Sequence, residues 1–401
     1  MAMGVLKGSG TRVDPWIIED GWDFNELRNL GDTGAANVSF VELGGDISLS
    51  MFMPFTPIPA RAFNIDGKGY AIYDISVLTT GLFTILQPTE YVRNIVLEGE
   101  ILNFSTNSGL LAGTVSFQAD NCVVENISGF GSITGNLANN GRVAGLIGNV
   151  VALAPPAVSV CRIRRCSFKG VANIVSTNTF DPNAIGGICN VASGSIINSH
   201  AQEISLVQCV SELTVNISAF SGTSTLTTRV GGVVGVISGS ASAHAGEVIS
   251  CIGRLIVNFR AESAVSKVWH FAGIIGGGQS QGIHRPTRCG GFVDFCYNPS
   301  VVPVGTIGVA GVMGQAGSSI PAITDCYGVL DIQNPADSQL PPDFVVSGLA
   351  GITSNHTLVR SFFDLDVIRR TWAGSIRNEA NGRTTAQLQS RQFLESQGWV
   401  F

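Results

Sequence analysis

Apolar and polar residues alternate with period two through most of this chain, and helical spacing shows only near its two ends. LTVNI (213–217) and LIVNF (255–259) alternate without a break, and short β-branched runs like them are separated by turn-forming residues. In CRIRRCSFKGV (161–171) the alternation assigns Ile163, Phe168 and Val171 to an interior, with Cys166 off phase at a bend. The predicted elements are short strands that each bury one face.

A second pattern, small-Gly-apolar-apolar-Gly, recurs between these strands. It appears as LAGTVS (111–116), VAGLIG (143–148), IGGICN (185–190), VGGVVG (230–235), FAGIIG (271–276), VAGVMG (309–314) and VSGLAG (346–351). Gly113, Gly145, Gly187, Gly232, Gly273, Gly311 and Gly348 mark intervals of roughly 32–45 residues, the range of solenoid repeats. Cys122, Cys166, Cys209, Cys251, Cys289, Cys326 and then Ser361 form a second series of similar period. Two unrelated markers keep a common interval while their spacers drift, which is expected of coils that share a rigid core and differ in their loops. The predicted fold is all-β: a right-handed parallel β-helix with short capping helices at both ends. The small residues fall where a corner nears the opposite wall, so a large side chain there would strike it.

The chain divides into four parts. Residues 1–45 form an N-terminal cap, with a short helix capped by Asp23 and an apolar face of Phe24, Leu27 and Leu30. Residues 46–108 are irregular first coils, including a proline loop that carries Phe52 and Phe55, and FNIDGKGYAI (63–72) as strand, turn, strand. Residues 109–367 are the regular array. Residues 368–401 are a C-terminal capping helix and tail, with Thr384 or Thr385 ahead of a helix that turns Leu388 and Phe393 or Leu394 inward, then Trp399 and Phe401 as plugs.

Composition narrows the chemistry. Only 13% of the 401 residues are charged and the net charge is −6, so nothing favours nucleic acid as a partner. Arg162, Arg164, Arg165 and Lys169 read as one solvated strand face. The cysteines read as buried free thiols that suit a stacked column, since cysteine behaves as a small hydrophobe and Ser361 is close to isosteric. Cys161 and Cys166, the nearest pair, lie on one strand and lack ligand spacing, so no metal and no cofactor is expected. GGGQSQG (276–282) reads as a turn and not a phosphate loop. No run reaches the length of a membrane span, and the first residues lack the pattern of an export signal, so folding in a cytoplasm is expected.

The best copies of the repeat, VGGVVGVISG with VISCIGRLIVNF and VAGVMGQAG with ITDCYGVLDI, resemble the GLUG-type repeats of bacterial surface proteins and phage tail or virion proteins. The opening GSGTRVDPWIIEDGWDFNELRNL and the closing GRTTAQLQSRQFLESQGWVF resemble the flanks of such arrays, so the likeness spans most of the chain. The asparagine usual before the cysteine is kept only at Asn121, and the spacers are longer. The resemblance implies a scaffold or binding surface.

The function expected is a structural, receptor-binding component of a phage virion: a tail spike, tail fibre or exterior decoration. Its partners would be other virion or surface-assembly proteins, a host glycan and further copies of itself, a homotrimer by analogy with spikes, without membrane insertion. The alternative is a bacterial cell-surface adhesin, and behind it a polysaccharide-degrading enzyme. Enzymatic cleavage needs paired carboxylates on one face. The acids of the array are Glu98, Glu100, Asp120, Glu125, Asp181, Glu203, Glu212, Glu247, Glu262, Asp294, Asp325 and Asp331. Of these Asp294 and Asp325, with Asp364, are spaced to form an acidic column, for which a solvated turn is the plainer reading. The histidines His200, His244, His270, His284 and His356 fall in spacers with no carboxylate at a fixed offset. No catalytic, cofactor or metal residue is assigned.

Overall fold

The computed structural model describes residues 6–30, 38–104, 106–119, 121–136, 141–152, 159–176, 184–192, 202–219, 227–238, 247–261, 268–279, 285–298, 305–315, 322–333, 344–351, 357–371, 376–377 and 379–398. Their strands assemble into three parallel sheets of 20, 7 and 6 strands. The chain is thus an all-β solenoid. One regular coil shows the plan. Thr227–Gly231 joins the seven-stranded sheet, and a tight turn at Gly232 and Val233 leads into Val234–Ser238 of the six-stranded sheet. Glu247–Ile249 and Ile252–Ala261 then form a short and a long arm of the large sheet. The long arms pair residue for residue, as in Val210↔Ile252 through Ala219↔Ala261. Interior positions alternate with exterior ones, as the period-two pattern requires.

The two arms meet at a bend that sequence alternation cannot express. Arg165, Gln208, Ser250, Arg288, Asp325 and Arg360 each hold a positive φ there, between 44° and 56°. A left-handed residue turns the strand and shifts its phase, so the following residue points inward. That residue is Cys166, Cys209, Cys251, Cys289, Cys326 or Ser361, at 0–2% exposure. Cys122 is not part of this column. Val123 pairs with Arg162, so Cys122 stacks on Cys161, and Ile127 takes the place beneath Cys166. The same bend separates Cys161, on Ser159–Arg164, from Cys166, so the two do not share one strand. Val171 points outward and Ala172 inward, because Phe168 and Gly170 set the phase.

Smallness alone does not explain the column, because each side chain also donates. Cys251 Sγ reaches the carbonyls of Ile249 at 3.4 Å and Leu206 at 3.7 Å, and Cys326 Sγ those of Thr324 at 3.2 Å and Pro286 at 3.4 Å. Ser361 Oγ makes the equivalent pair of contacts to Val359 and Ile323, both at 3.0 Å. Burial, and then the adjoining Cys289 thiol, push the Cys326 thiol well above its usual value. None of the nine cysteines forms a disulfide. Cys251→Ser is expected to shift the unfolding midpoint little, whereas Cys251→Val loses the donor, crowds a filled column and is destabilised by about 1–2 kcal/mol. Equal midpoints for the two variants in denaturant titrations would show that the donor is irrelevant.

The glycine corner is a close approach of main chain to main chain. Gly187, Gly232, Gly273, Gly311 and Gly348 stack in register. They face an inward row of the long arms made of Ser211, Gly253, Gly291, Gly328 and Phe363. Gly113 does not belong to this set. Ala112 pairs with Ile147 and Ser108 with Val143, which puts Leu110 opposite Gly145. Elsewhere the interior is filled by large side chains, including Phe259 packed on Trp269, Phe271, Phe295 and Tyr297 at centroid distances of 5.4–6.5 Å. On the outer face Asn258 donates to Asn216 at 2.7 Å and Asn216 to Asn173 at 2.8 Å, a short amide ladder.

At the N-terminal end the helix Gly21–Glu26 is capped by Asp20, which accepts from Trp22 N and Asp23 N; Asp23 lies inside the first turn. Phe24 and Leu27 are buried as expected, and Phe24 packs on Phe55 and Phe83. Phe55 of the proline loop is therefore core. At the C-terminal end a helix not foreseen, Leu365–Thr371, follows the last strands. The expected helix is two, Thr385–Gln389 with a Thr384 capping box and Arg391–Ser396 capped by Ser390. Trp399 and Phe401 lie outside the described residues. Gly276 to Gln279 are strand, not turn.

Candidate functional site

The irregular first coils hold a groove of about 400 Å³ on the outer face of the large sheet. It is assembled from three successive strands, Ala71–Val77, Tyr91–Ile101 and Val123–Asn136, with Met53 of the proline loop at its rim. Pairing places Glu98 beside Phe130, Gly99 beside Gly131, and Ser76, Glu100 and Ser132 in one row. The register shifts between Ile72 and Ile75, a bulge in which Asp74 adopts φ +56°. Bulges re-aim side chains, and aspartate tolerates this conformation better than most residues. The strands close together at the floor, where a Cβ on Gly99 would lie 2.1 Å from Ile75 O and one on Gly131 1.8 Å from Gly99 O.

The lining is acidic and uncompensated. Asp74 accepts from Ser48 Oγ at 2.7 Å and Glu100 from Ser76 Oγ at 3.3 Å, while Glu98 is exposed. Among the described residues, no lysine or arginine lines the groove. Phe130 stands 45% exposed beside Glu98, at a position where the alternation calls for a polar side chain. Such a surface offers an aromatic face for the C–H side of a sugar ring and acceptors for its hydroxyls.

Glu98 and Glu100 are thus the two candidate acids brought together at a concavity. The acidic column does not form. Asp294 pairs in register with Asp331 and is held by Arg254 at 2.8 Å; Asp325 sits at the bend and is gripped by Arg360. Asp364 is buried, accepting from Thr385 Oγ1 and from Val367 N at the start of the following helix. Glu212 pairs with Lys169. Glu125 is nearly buried and accepts from Arg164 at 2.7 Å and Arg165 at 2.9 Å. Burial alone would raise its pKa, but the two arginine hydrogen bonds outweigh it and hold the carboxyl below the usual range. The basic cluster is therefore partly an ion-pair network and not merely a solvated face. Asp120, Asp181, Glu262, His200, His244, His284 and His356 lie outside the described residues, as does the side chain of Glu203. His270 is on a strand, Val268–Ala272, and not in a spacer.

Sequence reasoning missed the groove because its parts come from three successive coils, two of which lack the glycine signature. The one signal was Phe130, a large aromatic at an outward phase of FGSITGN.

No family model matches the chain. A stretch of 164 residues is 27% identical to Halomucin of Haloquadratum walsbyi, covering 36% of this chain and 2% of that protein, so the chain spans about one fiftieth of the length of this relative. Among solved structures, a putative immunoglobulin A1 protease from Bacteroides ovatus aligns over 97% of this chain and 89% of its own, with a TM-score of 0.48 and 14% identity.

Proposed function

We propose that the chain is a rigid attachment scaffold, a structural and receptor-binding component of a phage virion such as a tail spike, tail fibre or exterior decoration. In this reading the coils wind right-handed, the terminal helices cover the first and last coils, the repeats belong with the GLUG type, and three copies associate. The observation that carries it is the groove of Asp74, Glu98, Glu100 and Phe130, set on a parallel ladder that cannot flex without breaking strand pairs. A cation-free acidic lining disfavours uronate or sialate polymers and suits neutral or amino-bearing sugars. The ligand class is thus a neutral or aminated host glycan. The similarity to Halomucin, which comes from a microbe and not from a phage, favours a cell-surface adhesin as the second reading.

Glycan binding is tested with Phe130→Ala. Loss of a stacking face should weaken saccharide binding at least about tenfold while the unfolding midpoint stays put, because Phe130 is exposed. Titration of immobilised neutral, aminated and uronic oligosaccharides reads the result. Tightest binding to the uronic series, or unchanged affinity in the variant, would remove the groove from the function. Light scattering with small-angle X-ray scattering decides the assembly: an elongated trimer supports a spike, a monomer a decoration or anchored adhesin.

A further inference from the structure

A second polar site lies on the far side of the solenoid, where the seven- and six-stranded sheets face each other. Arg142, Ala184, Arg229 and His270 follow one another in register, on the face opposite the core residues Val143, Ile185, Val230 and Phe271. Arg229 is 8% exposed and His270 1%. The Arg229 side chain runs along the solenoid axis over Gly277, where a Cβ would lie 2.5 Å from its Cδ. Its Nε donates to Gln315 Oε1 at 3.0 Å and its Nη1 to the Thr227 carbonyl at 3.4 Å. Gly314 packs close against His270, since a Cβ there would lie 3.1 Å from the His270 Cβ.

The charge in this cradle is one-sided. Neither sheet contains an aspartate or glutamate in any of its strands. Burial, and then the Arg142 charge, lower Arg229 to about 10, so it remains a cation at neutral pH. Among the described residues, neither ring nitrogen of His270 has a hydrogen-bond partner, although both are buried. A buried cation is stable when paired, and a buried imidazole N–H when it is bonded. Here two glycines let both side chains pack close against the neighbouring strands, and Arg229 keeps 8% exposure.

We propose that Arg229, His270 and Gln315 form an anion site that takes a small oxyanion of sulfate or phosphate type. The guanidinium supplies charge and a planar pair of donors, the neutral imidazole one N–H, and the Gln315 amide a further N–H. The site is independent of the glycan groove and stands or falls separately.

The test is thermal unfolding of the whole chain in sulfate titrated against chloride at matched ionic strength. A ligand that binds only the folded state raises the midpoint along a saturation curve. The expected result is a saturable rise in the native chain that Arg229→Gln abolishes, while Arg254→Gln, an exposed control, retains it. A linear, unsaturating rise shared by all three proteins is surface exclusion of the salt and would overturn the site. Should Arg229→Gln fail to fold, phosphorus NMR of inorganic phosphate with the native protein decides: broadening competed by sulfate supports the site, and its absence refutes it.

Discussion

Gly232→Leu should abolish soluble folding. The ideal Cβ at this position lies 2.1 Å from the Gly273 carbonyl oxygen and 3.3 Å from the Gly253 backbone. Both obstacles are main chain: Gly273 is the corner of the next coil, and Gly253 lies in the paired long arm of the same coil. A side chain in a loose core finds another rotamer, but a backbone carbonyl in a ladder moves only with its neighbours. The loss should exceed about 4 kcal/mol, beyond the usual range for one substitution. Gly290→Ala is the matched control. It begins a long arm of the large sheet, yet its nearest neighbour would be a Phe292 ring atom at 3.5 Å, an ordinary contact. Expression and circular dichroism of both variants read the difference. A native-like Gly232→Leu would mean that the corner is not the tight approach drawn above.

The corner was legible because steric exclusion leaves the same mark, a glycine, in each coil from Gly187 to Gly348. The period, the strands and the free cysteines were legible for the same reason. Errors came where geometry breaks alternation. The left-handed residue at the bend, whether Arg165 or Asp325, looks like any polar residue in sequence. It separates Cys161 from Cys166 and so hid the fact that Cys122 stacks on the former. The acidic column failed at the same bend, since Asp325 occupies the turn while Asp294 lies on the long arm. The groove was illegible for a different reason. Asp74, Glu98 and Phe130 are adjacent through inter-coil pairing and a bulge, and no interval in the chain encodes them. His270 was placed in a spacer because the interval between successive strand patterns in the sequence is not constant.

Acid should weaken the fold in two stages, and His270 governs the first. Burial, and then the Arg229 charge, lower its pKa to about 4 from the usual 6.5. As pH falls through 6.5 the unfolded chain takes up a proton that the folded chain refuses until about pH 4. The folded state therefore keeps its full stability above pH 6.5 and loses it progressively toward pH 4, by roughly 3 kcal/mol if the whole shift is realised. The second stage begins lower. Asp66 is drawn into the hydrogen bonds of Asn94, Lys68 N and Arg93, which outweigh its burial, and Glu125 is held by Arg164 and Arg165. Both carboxyls sit below their usual values, so their contribution is intact above about pH 4 and fades as they protonate. His270→Leu separates the stages. It removes two unpartnered buried nitrogens and should leave stability flat between pH 6.5 and 4, with the lower-pH loss unchanged. Guanidinium titrations across that window in chloride buffer measure both slopes. If the variant keeps the native slope, the proton enters elsewhere and His270 is not the buried neutral base assigned to it.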